Sequence, residues 1–593
     1  MKKITLLFLL ISNVYSFSQS TIEGFIFDQE TKTSLPYATI KIISNNNYYT
    51  ITNEDGKFEI YDRFALDSLE IRFIGFKTKK VPVTYFKEHS KFYLSPNILA
   101  LNEVLVIANK NENYAYDLLN SLIQKYRNKK LVIESKGFLT LTSSARGIPI
   151  EIIEGFYNSE QNLSKGIVDL KIKSGRFGQN KSFPFYSLNN TDILMDFQLF
   201  KKATQILPLY PGNMTFSAFK GKYDVKINEC NLCNYEDLLI SFIPKKFNGR
   251  LFSGNIIFNK KTLTIKKIEL RVADPITNGL SSIIENDIMT PKEIKLNINF
   301  NPIDFEKIQS LDFEFIMQYK SKKNIEMITS HSFLYFYDYY EPFEEPYFTN
   351  NISFNNDYDK IIALQASDEF WNSNYQFPKS FSEKRAISFL KKYGSLINYE
   401  NSIPKDDMKY TKPSVIAWNK NKRLEWGSIK HGLDINKKEH NFTNRDNNGE
   451  NIKADKVFHS VVELKNNDND SGKNQEFNFG YILDTYKIKN GNKQFITRTL
   501  FDRGSSFCKY SRITNKLIYI NLVFDIYEYH RQNLNSQINN KMTLDEVKIM
   551  CEDKFKEASL IVKKMKNETN YGLNYKNLIR WNTTIKHKLN SND

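Results

Sequence analysis

"GNIIFNKKTLTIKKIEL" (254–270) alternates apolar and polar side chains, pauses at Lys260-Lys261, and alternates again. A strand turns every second side chain to the same face, so two such runs around a short polar pause read as a β-hairpin. The same texture extends on both sides, from residue 131 to residue 350. "GFLTLTSS", "IPIEIIEGFYN", "GIVDLKIKSGRF", "DLLISFIPK", "KEIKLNINFNP", "SLDFEFIMQYK" and "MITSHSFLYFYDYY" all alternate over strand-length spans. The expectation is a β-rich middle domain, 110–410, built on an antiparallel sheet with a few helices. "YAYDLLNSLIQKYRNKK" (114–130) supplies one helix, with Tyr116, Leu119, Ile123 and Tyr126 on one side; "SEKRAISFLKKYGS" (382–395) supplies another, ended by Gly394. "ENSIPKDDMKYTKP" (400–413) reads as a linker.

At 593 residues the chain is too long for one hydrophobic core. It begins "MKKITLLFLLISNVYSFSQS": two lysines, an apolar run from Ile4 to Leu10, then small and polar residues. That order reads as a secretory signal peptide over 1–18, with cleavage between Ser18 and Gln19. No later stretch has the roughly 18 consecutive apolar residues of a spanning helix, so no transmembrane segment is expected.

Residues 20–107 have an all-β pattern. "TIEGFIFDQETKTSLPYATIKII" gives two strands, "YYTITNEDGKFEIYD" places two alternating runs around Asp55-Gly56 as in a hairpin, and "SLEIRFIGFKTKKVPV" and "KFYLSP" add more. Short strands at this spacing indicate a small β-sandwich. Gly24 with Asp28, "PYATI" (36–40), "TNEDGKFEI" (52–60), "IGF" (74–76) and the exit "LNEVLVI" (101–107) resemble the carboxypeptidase-regulatory-like, transthyretin-like domain common in exported Bacteroidetes proteins. The resemblance implies a non-catalytic module that accompanies peptidases and receptors. In TonB-dependent receptors it precedes a plug and a barrel, but the chain that follows here lacks the long series of lipid-facing strands a barrel needs. The hairpin at 254–270 is itself similar in texture to the curved sheets of envelope lipoprotein carriers.

The formal charge is +16. Basic patches with interleaved aromatics are not visible, so no nucleic acid is expected as a partner; if the charge is functional, anionic envelope surfaces fit it. Four cysteines occur, Cys230, Cys233, Cys508 and Cys551. An even number in an oxidising compartment favours disulfides, and Cys230 with Cys233 is the candidate bridge. A redox CxxC normally opens a helix after a strand. "VKINECNLCNYEDLLISFI" instead reads strand, turn, strand, which favours a structural loop. Spacing does not decide whether Cys508 and Cys551 pair.

"LIYINLVFDIYEYHRQ" (517–532) reads as a buried helix carrying Asp525, Glu528, His530 and Arg531. Together with "NKNKRLEWGSIK" (419–430), "FITRTLFDRGSSFCK" (495–509, a strand running into a polar turn) and "NETNYGLNYKNLIRWNTTIKHKL" (567–589), it resembles a family of predicted exported bacterial zinc peptidases. In that family the helix reads HEQxHFDIxExxAR. Two histidines four apart on one helix face hold Zn²⁺, and the glutamate beside the first is the general base. Through the shared "FDI" (524–526), the ligand positions fall on Tyr519 and Val523 and the base on Ile520, while the family's HG becomes Tyr571-Gly572. Ile520 and Val523 have no lone pair to offer. No two of the seven histidines stand three or four residues apart, and no HExxH occurs. The resemblance therefore implies an α+β domain over 411–593 that has lost its metal. Asp525, Glu528 and Arg531 are expected to meet on one helix face, with His530 exposed or capping. Thr543 with Glu546 forms an expected capping box, and Met542 with Val547 a hydrophobic staple.

These readings give a multidomain, mainly β protein: an N-terminal β-sandwich, a β-rich middle domain and an α+β peptidase-like C-terminal domain. Catalytic residues, metal and cofactors are all expected to be none. The expected role is a non-enzymatic exported subunit, periplasmic and outer-membrane-associated, that binds or scaffolds a protein complex. The alternatives are a peptidase with atypical ligands, a thiol–disulfide protein using Cys230 and Cys233, and a carrier of lipid or lipoprotein in the middle sheet.

Overall fold

The computed structural model describes residues 21–591 apart from 44–48, 62–66, 98–112, 181–182, 184–189, 203–205, 229–235, 277–286, 322–323, 353, 355, 365–366, 375–376, 400–413, 432–474 and 488–491. The signal peptide, the exit "LNEVLVI", the linker and the pair Cys230/Cys233 lie outside the described residues. The chain forms two compact units, one of residues 1–343 with 366–410 and one of residues 344–365 with 411–593. Strand predominates, as the alternating texture requires.

The first unit opens with seven short strands: β1 (Thr21–Asp28), β2 (Thr39–Ile42), β3 (Tyr49–Ile51), β4 (Lys57–Tyr61), β5 (Ser68–Arg72), β6 (Lys79–Pro82) and β7 (Lys91–Leu94). They make two sheets, β4-β1-β7 and β3-β2-β5-β6. Ile26, Phe58 and Leu94 from one and Ile40, Leu69 and Ile71 from the other close a common core, which gives the expected sandwich. The Asp55-Gly56 pair does form a tight turn. Asn53 Oδ1 accepts from the backbone N–H of Asp55 and of Lys57, both at 2.9 Å, and Gly56 sits at φ +76°. However, β3 and β4 belong to different sheets. The expected hairpin is a crossover, because the same turn chemistry serves either connection and the strand beyond pairs with β1 instead.

The rest of this unit is one antiparallel sheet of eleven strands. They are β8 (Val132–Ala145), β9 (Ile148–Asn162), β10 (Gly166–Asn180), β11 (Tyr223–Asn228), β12 (Asp237–Pro244), β13 (Ser253–Asn259), β14 (Thr264–Ala273), β15 (Ile288–Phe300), β16 (Ile308–Lys320), β17 (Ile325–Tyr337) and β19 (Gly394–Ile397). Their spatial order is β11-β12-β13-β14-β15-β16-β17-β8-β9-β10-β19. The quoted hairpin is β13–β14, with Ile256, Phe258, Ile265 and Ile268 buried. Over one face pack the helices Tyr114–Arg127, Asn190–Asp196 and Phe216–Lys222, filling it with Leu119, Ile123, Tyr126, Phe197 and Phe219. The other face, at β16, β17 and β8, receives the sandwich: Tyr37 stacks on Phe333 at 4.2 Å, and Gln309 Nε2 donates to Thr39 Oγ1 at 3.0 Å. Both faces of β17 are therefore buried, which explains its unbroken apolar run 333–337. After the helix Phe381–Tyr393, the chain adds the edge strand β19, too short to read from sequence.

The second unit holds a sheet ordered β18-β22-β23-β20, with β21 also paired to β23. These are β18 (Tyr347–Phe348), β20 (Val415–Ala417), β21 (Lys430–His431), β22 (Gln475–Lys487) and β23 (Lys493–Cys508). Three helices, Thr514–Asn535, Leu544–Thr569 and Tyr575–Asn590, complete an α+β unit. The polar turn expected within 495–509 is a bulge inside β23: Glu476 opposes Phe507 while Asn478 opposes Asp502. Asp502 and Asn478 hold the extra residues, with Asp502 Oδ1 accepting from Ser505 N at 3.1 Å and Ser506 Oγ from Asn478 N at 2.9 Å. Those bonds let the strand resume beyond Ser506. No described helix is long and apolar enough to cross a membrane.

Candidate functional site

The helix Thr514–Asn535 is the expected centre of any peptidase chemistry, and it lies deep in its unit. Tyr519, Ile520 and Val523, the three positions aligned with ligands and base, are buried beside Phe479, Phe501 and Phe524 in one apolar cluster. Ile520 has no exposed surface at all. The turn between the two following helices closes on Tyr519. Gly572, at φ +86°, approaches so closely that a Cβ there would stand 2.8 Å from the Cβ of Tyr519. Burial, and then the phenol of Tyr571, push the Tyr519 hydroxyl far above its ordinary range. The fold thus brings together Tyr519 and Tyr571-Gly572, which the resemblance had laid separately on two motifs of the family, and it does so with hydrocarbon and phenols. Among the described residues, no three His, Cys, Asp or Glu side chains gather where one ion would reach them.

The charged groups of this helix tie it to the sheet. Asp525 accepts from Trp418 Nε1 at 2.8 Å and from Arg423 Nη2 at 2.7 Å. Glu528 takes a two-pronged bond from Arg531, Nε at 2.9 Å and Nη2 at 2.7 Å, and a third from Thr499 Oγ1 at 2.7 Å. Arg531 also reaches Thr497 Oγ1 at 3.1 Å. The expected three-residue cluster is therefore half right: Glu528 pairs with Arg531, while Asp525 turns away to Arg423. Residues three apart on a helix are displaced enough in angle for different partners to claim them. His530 is neither exposed nor a cap. It is half-buried, 3.6 Å from Glu557, and burial lowers its pKa against the pull of that carboxylate.

Cys508 and Cys551 are both buried and both free. They sit in separate apolar clusters, so they form no disulfide. Burial pushes the Cys551 thiol up to about 12, which makes it a packing group and not a nucleophile.

Sequence reasoning missed the polar seam between the sandwich and the sheet. His331 on β17 lies between two carboxylates, with Nδ1 2.7 Å from Glu54 and Nε2 2.6 Å from Asp312. Burial opposes its charge, but the bonds and charges of Asp312 and Glu54 outweigh this and push the imidazole up to about 10. Nearby, Glu154 is buried with Arg176 Nε at 2.6 Å and with Lys379. Burial would raise its pKa; the two cations hold it at about 2. Arg176 is itself held between the rings of Trp371 and Tyr399, at 3.8 and 4.6 Å. The cavity lined by Tyr37, Glu54, Thr140, His331 and Glu383 measures about 10 Å³, roughly the room of one water. The seam is a closed joint. Its members stand far apart in sequence, and the one legible signal was a polar pair, Glu54 and Asp55, in an otherwise structural turn.

The family described as CarboxypepD_reg-like domain matches residues 22–106, so the first module of this chain is such a domain. No curated protein matches the chain. Among solved structures it is similar to MucB, at 10% identity over 38% of this chain and 92% of that one, with a TM-score of 0.14. It is similar also to the MucA/MucB complex of Pseudomonas aeruginosa, at 9% identity over 37% and 93%, TM-score 0.14. Likeness at that TM-score supports no conclusion about fold or function.

Proposed function

We propose that the chain is an exported, non-enzymatic envelope subunit that binds or scaffolds a partner protein at the periplasmic side of the outer membrane. Its C-terminal unit would be a zinc-peptidase-like fold that has lost its metal, with no catalytic residue and no cofactor. The observation that carries this reading is the burial of Tyr519, Ile520 and Val523 in an apolar core, beside Asp525 and Glu528 already committed to Arg423 and Arg531. A CarboxypepD_reg-like module supports it from the other end of the chain, since such a module implies protein interaction. The carrier alternative gains no support, because the chain's own side chains fill the helix-covered face of the large sheet.

The test is a pull-down of C-terminally tagged chain from detergent-solubilised membranes of its native host. The expected result is co-purification with an outer-membrane-associated complex. Recovery from a soluble fraction as a free monomer overturns the proposal.

A further inference from the structure

Phe247 is the most exposed large apolar side chain among the described residues, at 81%. It sits at the apex of "PKKFNGR" (244–250), which joins β12 to β13. The turn is well held. Lys245 N donates to the Lys222 carbonyl at 2.8 Å, and Leu209 N donates to the carbonyl of Arg250 at 3.0 Å. Ile276 lies beside it: its N–H donates to the Gly249 carbonyl at 3.1 Å, and its side chain is 58% exposed. Gly249 permits this approach, being at φ +70° with a would-be Cβ 2.1 Å from the Asp274 carbonyl oxygen.

Five exposed cations lie on this turn and on the helix end bonded to it: Lys245, Lys246 and Arg250, with Lys220 and Lys222, whose carbonyls accept from the Lys245 ammonium at 3.0 Å and from its backbone N–H. None of them forms an ion pair among the described residues. Three acids lie on the flanking described segments, Asp224 on β11, Asp274 and Asp287; Asp274 is engaged with Lys292 at 3.1 Å, and Asp287 accepts from the Tyr319 hydroxyl. An exposed apolar apex on a turn flanked by cations without ion pairs matches the layering of an anionic bilayer, where acyl chains lie beneath phosphates. A polar polyanion would use the cations and leave the phenyl ring in water.

We propose that this tip docks on anionic lipid, Phe247 and Ile276 entering the acyl boundary while the five cations meet headgroup phosphates. The proposal takes from the functional reading only that the chain reaches an envelope membrane. Its test needs no partner protein, so the two can fail separately. Purified chain beginning at Gln19 is mixed with vesicles of phosphatidylglycerol and phosphatidylethanolamine in equal parts, or of phosphatidylcholine alone, and sedimented. Binding to the anionic vesicles is expected to exceed binding to the neutral ones and to weaken with salt. Phe247→Ser is expected to lower it about tenfold, and Lys245→Gln with Lys246→Gln about fivefold per cation removed. These side chains are exposed, so thermal midpoints stay at the native value. Equal binding to both vesicles, no binding, or full retention by both variants overturns the proposal. So does capture by soluble heparin, equal for native chain and Phe247→Ser, without vesicle binding.

Discussion

Glu528 accepts four side-chain bonds inside its unit, two from Arg531 and one each from Thr499 and Gln532, and the half-buried Arg498 lies near the same pair. Removing the carboxylate leaves largely buried guanidinium charge without its partner, where loss of a fully buried pair costs about 3 kcal/mol or more and partial exposure of Arg531 lessens it. Glu528→Ala is therefore expected to lower the thermal midpoint of the C-terminal unit markedly, and calorimetry of the variant checks it. An unchanged midpoint would show that the pair does not anchor the helix. The seam residues give a pH signature of opposite sense. His331 is raised to about 10 from its usual 6.5, so its stabilisation is complete below about 6.5 and is lost as pH rises to about 10. Glu154 is depressed to about 2, so its contribution holds above about 4.5 and is lost as pH falls through about 2. Urea midpoints measured from pH 6 to pH 10 are expected to fall for the native chain and to flatten in His331→Gln.

At the level of elements, the caps and turns are the parts most open to test. The helix Leu544–Thr569 begins with the capping box foreseen from Thr543 and Glu546, each side chain bonded to the other's backbone N–H. Thr543→Ala is expected to cost about 1 kcal/mol. Gly572→Ala meets both positive φ and the Cβ of Tyr519, so it is expected to cost more than the cap variant, read as the larger drop in urea midpoint. Long alternating strands such as those of 254–270 and 325–337 were legible because half or all of their surface is buried with a fixed period. The Asp55-Gly56 turn was legible as a turn but not as a crossover, since strand partners are chosen by distant residues. The bulge in β23 and the edge strand β19 were hidden for a related reason. A glycine and two serines look like a turn until Asp502 and Asn478 are in place, and four residues carry too little periodicity to recognise. In the candidate site, the loss at positions 519, 520 and 523 was readable from residue type alone, whereas Asp525 choosing Arg423 over Arg531 was not.

Within the first unit, the sandwich and the large sheet share a buried joint in which Tyr37 covers Phe333 and Asn53 Nδ2 donates to the Pro378 carbonyl at 3.0 Å. A chain starting at Asn113 would bare Phe333, Tyr335 and Phe377. It is expected to aggregate or bind a hydrophobic dye, while the intact unit does not; a soluble, dye-silent truncation would show that the joint is incidental. For the molecule as a whole, the decisive issue is whether the second unit keeps its greasy helix as scaffold or as reagent. Metal content of the purified native chain, after equilibration with zinc and removal of loosely held ions, answers this most directly. The account predicts far less than one zinc per chain, and zinc bound tightly at one per chain, lost on substitution within the Thr514–Asn535 helix, would contradict it.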